Sequence, residues 1–267
     1  MRGVCNNDDC RPVVTGIGIV AANGIGVVDF WRTLIERQSG VGPITLFDAS
    51  KFPNRIAAEV KGFDPSRHLP STVKWKRLPR QTLLALSALD MALADAGLAD
   101  GNLLKAVRPV HVLMGVSTSS IEVLEEAGLN LFNGHPKWVR PWVLWASQPH
   151  CCATTLAEHL GVRTAFHTIT TACKAGADAL LSGADLIRAG KADIVIAGGA
   201  DASICATTCA AFSSRQLQSN RNDDPQHASR PFDRDRDGGV LGEGSGIVVL
   251  ESLAHARARD AHIWLEM

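Results

Sequence analysis

Hydrophobic positions along this chain alternate between two kinds of pattern. Short unbroken apolar runs, the signature of buried strands, lie at residues 12–20 (PVVTGIGIV), 110–116, 192–200 (ADIVIAGGA) and 247–251, with a β-rich run at 166–171. Between them the period lengthens. Residues 80–96 (RQTLLALSALDMALADA) predict an amphipathic helix closed by Gly97. Ala177, Leu180, Leu181, Ala184 and Ile187 fall three or four apart, one face of a second helix that ends at Gly190. Weaker patterns predict helices at 28–36, 121–127, 151–160 and 252–259, and 261–267 reads as a strand just beginning. Residues 1–11 read as a loose tail and 44–79 as irregular surface loops. Strands alternating with helices predict one α/β domain over 12–267, a mostly parallel mixed sheet with helices on both faces.

Composition narrows the class. The chain has 267 residues, 46% hydrophobic and 20% charged, an ordinary globular balance. Aromatics are only 5% and Tyr is absent, so the core is expected to be Ala, Val, Leu and Ile, which suits strands buried on both faces. Formal net charge is zero, which gives no pull toward nucleic acid. No apolar run is long enough to span a bilayer and the N-terminus has no apolar leader, so a cytoplasmic protein is expected. The seven cysteines include no CxxC and predict reduced thiols. Adjacent Cys151 and Cys152 are a poor metal pair, and no His/Cys set has ligand spacing, so no metal is expected. Cys205 and Cys209 share a possible helix face and read as packing residues.

Cys173 stands apart because it falls where the 166–171 strand gives way to the following helix. Free N–H groups and the positive end of a helix dipole favour a thiolate there, the usual route to a nucleophilic cysteine. The alternative is a small buried hydrophobe, since many cysteines only pack. Gly16-x-Gly18-x-x-Ala21 resembles a dinucleotide fingerprint, but no second strand ending in an acidic residue follows it, so a nucleotide site is not expected. Trp138, Trp142 and Trp145 read either as loop anchors or as a contact surface or acyl-pocket wall. The Arg/Asp run at 233–237 reads either as a solvated turn or as a network fixing the glycine-rich loop 238–246 beside an active-site floor.

Four stretches, taken in order, resemble the β-ketoacyl synthases, the condensing enzymes of fatty acid and polyketide assembly. They are VVTGIG, TACKAGADA around Cys173, ADIVIAGGAD, and SRPFDRDRDGGVLGEGSGIVVLES. The resemblance implies a thiolase-like fold, of which this chain is the N-terminal half. It implies that Cys173 accepts an acyl group from an acyl carrier protein as a thioester. A malonyl thioester then loses carbon dioxide and its carbanion attacks the acyl carbon. By the same resemblance the Cys173 backbone N–H forms half of an oxyanion hole, and Phe212, Ser117, Thr118 and Ala172 contact the acyl substrate. No dissociable cofactor is implied, because acyl groups arrive on phosphopantetheine arms. A homodimer is implied, paired through the strand at 164–168, or else a partner synthase subunit. The family's two catalytic histidines, lysine and GFGG loop belong to a C-terminal half beyond residue 267, and His255 and His262 read as surface residues. Gly239 and Lys174 depart from the family pattern. Two other expectations stay open: a non-catalytic partner similar to a chain-length factor, which would lack the cysteine, and one chain of a split synthase.

Overall fold

The computed structural model describes residues 9–99, 103, 108–214 and 217–267. β1 (Pro12–Ala21) turns through a tight hairpin into β2 (Gly24–Ile25) and helix α1 (Val27–Ile35). A two-stranded ribbon, β3 (Gly42–Pro43) and β4 (Ile56–Ala57), and one helical turn, α2 (Pro65–His68), punctuate the irregular stretch expected at 44–79. Then follow α3 (Arg80–Asp95), β5 (Val110–Gly115), α4 (Ile121–Phe132), α5 (Val143–Ala146), α6 (His150–His159) and β6 (Thr164–Ile169). α7 (Ala175–Arg188), β7 (Ile194–Asp201), α8 (Ala206–Ser213), β8 (Gly244–Ser252), α9 (Leu253–Ala258) and β9 (Leu265–Glu266) complete the order.

Among the described residues a seven-stranded sheet runs β2-β1-β8-β7-β5-β6, with β9 also on β1. β5 is parallel to β6 and to β7. β8 is antiparallel to both its neighbours, β7 and β1. The sheet is therefore mixed, as expected, with more antiparallel pairings than the expected mostly parallel arrangement. The reason is local. After β7 the chain returns to the end it left, with Asp201 opposite Gly244, and without a crossover helix the returning strand must run backwards.

Strand alternation sends Ile247 and Val249 to one face and Leu250 to the other. On the first face lies α3. It was expected to be amphipathic, yet it buries residues on nearly every side, because the sheet covers one flank and α6, with Cys152 and Leu156, covers another. A Cβ on Gly16 would sit 2.2 Å from the Ala92 carbonyl oxygen, and one on Gly18 1.8 Å from that of Ala88. The glycines of the fingerprint-like run thus let helix and strand backbones touch. On the second face α7 packs Ala179, Ala184 and Ile187 against Val195, Ala197 and Leu250.

α4 runs on to Phe132, past the expected end at 127, because its last residues stay helical while Leu129, Leu131 and Phe132 remain exposed and break the burial pattern. Residues 1–8 of the expected tail lie outside the described residues. Residues 9–11 are held, since Asp9 and Arg11 carbonyls accept from the N–H groups of Ala254 and Leu253. Cys10 is disulfide-bonded, against the expectation of reduced thiols throughout; Cys151, Cys152, Cys173, Cys205 and Cys209 are free. His255 is half-buried and bonded to the fully buried Glu251, which corrects its reading as a surface residue, whereas His262 packs edge-on against Trp264.

Candidate active site

Cys173 sits in a short 3-10 turn, Ala172–Lys174, between β6 and α7. Ala172 carries φ +57°, a left-handed conformation that costs an L-residue on the order of 1 kcal/mol or more. The turn is held by Asp178, one turn into α7. Its carboxylate accepts the Thr171 hydroxyl proton and pairs with Lys174 at 3.1 Å, so groups on both sides of Cys173 share one anchor. The head of α7 drops close to the sheet because β5 ends in glycine. A Cβ on Gly115 would lie 2.2 Å from the Ala175 carbonyl carbon.

The result is an open cleft of about 320 Å³ at the ends of β5 and β7 and the start of β8, floored largely by glycine. Cys173, Ala172, Ser117, Asp201 and Ser245 all line it. The N–H groups of the first turn of a helix have no intrahelical partner, and here that turn, Ala175 and Gly176, faces the cleft. Cys173 is the one exposed cysteine among the described residues. Burial pushes the other free thiols up: Cys151 and Cys209 to about 11, with Cys152 and Cys205 also raised. The exposure of Cys173 sets aside its reading as a small buried hydrophobe.

The expected pocket residues divide. Ser117 and Ala172 line the cleft. Thr118 stands behind Ser117, its hydroxyl 2.8 Å from Asp201 Oδ1. Phe212, half-buried on α8, is not among the described residues that line the cleft. No histidine is among them either; His167 instead stacks on His111, which burial and His167 hold below the usual imidazole range. The Arg/Asp run does form a network. Asp237 accepts from the Asn220 N–H and pairs with Arg221 at 3.5 Å, while Arg221 reaches the Asp235 carbonyl at 2.8 Å. The loop it steadies carries Gly242, Gly244 and Gly246 to the cleft floor. Trp142 and Trp145 pack with the buried Val143 and Ala146, whereas Trp138 is largely exposed and stacks on His135.

Two acidic residues that the sequence reading passed over organise the surroundings. Asp201 receives the Ser117 and Thr118 N–H groups at 2.8 and 3.1 Å. Glu243, buried in the glycine-rich loop, receives Arg80 through two bonds of 2.6 Å and the Val60 N–H at 2.8 Å. A carboxylate closing an apolar strand (GGAD) and one set among glycines (GEGSG) were the available signals.

Structural neighbours place the fold among the thiolase-like ketosynthases. The ishigamide ketosynthase/chain length factor superposes with TM-score 0.87 at 34% identity, over 96% of this chain and 62% of that one. A type II polyketide synthase acyl carrier protein in complex with its hexaketide-bound ketosynthase gives TM-score 0.83 at 32% identity. The family model for the β-ketoacyl synthase N-terminal domain matches residues 11–256, and the chain belongs to that family. It is 38% identical to 3-oxoacyl-[acyl-carrier-protein] synthase 2 of Synechocystis sp. over 99% of its length. It spans 63% of that relative, and a similar share of the other curated relatives it matches.

Proposed function

We propose that this chain carries out the acyl-loading step of a 3-oxoacyl-acyl carrier protein synthase, in fatty acid or polyketide assembly. The observation that carries this reading is the exposed Cys173 thiol, at the head of α7 on the strained Ala172 turn, opening into a glycine-floored cleft. The Cys173 sulfur attacks the carbonyl of an acyl thioester. A new thioester forms, and the phosphopantetheine sulfur departs with the proton the thiol gave up. The Cys173 N–H, beside the first turn of α7, would stabilise the oxyanion. Ser117 and Ala172, which line the cleft, contact the acyl group.

In the second step malonyl thioester loses carbon dioxide, the freed electron pair attacks the acyl carbon, and Cys173 leaves as thiolate. The enolate that forms needs preorganised donors, each typically worth on the order of 10²–10³ in rate. No histidine lines the cleft among the described residues. Loading is therefore assigned to this chain, and condensation to this chain together with a segment that supplies those donors.

The proposed donor of the acyl group is an acyl carrier protein, in line with the carrier complex of the related polyketide ketosynthase. No dissociable cofactor is assigned. Among the described residues β6 is bonded only to β5, and its other edge, with Phe166 half-exposed, fits pairing with a second copy or a partner synthase subunit. No helix among the described residues is long and apolar enough to cross a membrane, and the cytoplasm is the proposed compartment. The non-catalytic reading is disfavoured because the cysteine is present and faces the cleft.

The test incubates the chain with acyl and malonyl carrier proteins. A covalent acyl adduct on Cys173, absent from Cys173→Ser as a labile thioester, is the expected result, without release of carbon dioxide. A chain that alkylates at Cys173 yet takes no acyl group overturns the assignment.

A further inference from the structure

We infer that Asp201 is the positioning residue of the acyl site, its carboxylate fixing the turn at 117–119 as a rigid wall of the Cys173 cleft. The inference rests on the acyl-loading reading above and extends it to a residue that touches neither sulfur nor proton. β5 ends at Gly115 and α4 begins at Ile121, and the turn between them crosses the end of β7, where Asp201 is the last residue. Two successive backbone N–H groups, of Ser117 and Thr118, point at the two oxygens of this one carboxylate, at 2.8 and 3.1 Å. The Thr118 hydroxyl donates to the same Oδ1 at 2.8 Å. An ionised carboxylate can accept all three; an amide of the same shape has one acceptor oxygen and would turn a donor against an N–H.

The anchoring continues beyond the carboxylate. Ser203 Oγ lies against Thr118 Oγ1 and 3.3 Å from the Ser119 carbonyl, and Ser119 Oγ donates to the Ser147 carbonyl at 3.0 Å. Ser119 itself has φ +59°, a strained conformation for a residue with a side chain. Such conformations persist only where the surroundings over-determine them, and they gather where geometry matters to function. Ser117, the exposed residue of the turn, and Asp201 both border the cleft that holds Cys173. The cleft thus has two strained turns on its rim, one bearing the nucleophile and anchored by Asp178, the other anchored by Asp201. Loading requires the acyl carbon to be held within reach of sulfur, and a wall displaced by about 1 Å is enough to lose orders of magnitude in rate.

The experiment measures acylation of Cys173 by N-acetylcysteamine thioesters from acetyl to dodecanoyl, followed by mass spectrometry of the Cys173 peptide, beside its alkylation by iodoacetamide. The full chain is compared with Asp201→Asn and Asp201→Ala. Iodoacetamide needs no wall, so its rate at Cys173 should stay within about twofold in a folded variant. Acylation should fall by roughly tenfold or more, and the dependence on acyl length should flatten. Asp201→Asn, being isosteric, keeps the test available if Asp201→Ala fails to fold. Acylation rates and length dependence within twofold of the parent in Asp201→Asn would overturn the inference about Asp201 alone. Iodoacetamide labelling of the parent without any acylation would instead remove the acyl-loading reading on which the inference rests.

Discussion

The two faces of the sheet are built differently. On one, α3 and α6 pack side by side on the sheet, and Leu84, Leu86 and Leu89 are wholly buried there. Glu251, at the end of that face, is buried in company with Arg259, His255 and Thr15. On the other face α7 presents its small residues to the sheet, and its far side is uncovered, with Leu181 56% exposed. The closed face carries the apolar burial that holds the domain together. The open face carries the glycine-floored cleft, the strained Ala172 and the exposed Cys173 thiol. In this chain the bulk of the apolar core and the exposed cysteine lie on opposite sides of one sheet.

Paired truncations put that contrast to the sharpest test. Leu89→Ala opens a cavity in the closed face and should cost about 3–4 kcal/mol in urea unfolding. Leu181→Ala, on the outer side of α7, should change stability by less than about 0.5 kcal/mol. Similar losses from both would mean that the open face is covered in solution.

Next in size is the buried carboxylate of the closed face. Burial opposes ionisation of Glu251, but hydrogen bonds from Arg259, His255 and Thr15 outweigh it and hold the group down to about 2. A lowered carboxylate contributes stability above its unfolded value, near 4.5, that is lost as pH falls from there toward 2. Glu251→Gln should cost about 3 kcal/mol at pH 7, because Arg259 is left without its counter-charge, and should flatten the acid limb of a melting-temperature profile.

The smallest effect runs the opposite way. Burial, the main cause, with the nearby charge of Glu243, lifts Glu122 to about 7 against the pull of Arg80. The backbone N–H groups of Glu122 and Arg80 near its carboxylate only partly offset that burial. A raised carboxyl penalises the folded state as pH climbs from about 4.5 through 7, so stability should fall across that window. Glu122→Gln should remove the slope and gain roughly 1–2 kcal/mol at pH 8, with little change at pH 4.5. An unchanged slope would show that Glu122 is already solvated.

The closed face was the legible one. Apolar runs gave β1, β5, β7 and β8, and the period of 80–96 gave α3, since burial and sequence pattern coincide there. The reversal of β8 was not legible, because strand direction depends on where a connection returns and leaves no mark in the strand itself. The Cys173 turn was found from the change of period at 171–175 and from the family resemblance. Asp201 was missed for a plain reason: an acid at a strand end looks the same whether it faces water or clasps a turn. Phe212 follows the family pattern in sequence but stands off the cleft, and nothing in its neighbours along the chain distinguishes those two placements.

The reversed strand has a consequence for how the chain is made. β8 fills the gap between β7 and β1, and Pro12 finds its partner only at Ser252. At roughly 5–20 residues per second, synthesis leaves β1 without that neighbour for on the order of ten seconds or longer. Pairings so distant along the chain also close slowly once both strands exist. β1, made early, is thus among the last strands to be sealed into this sheet, and a nascent chain halted before Gly244 should be readily cleaved by protease and bound by chaperones that recognise open apolar strands.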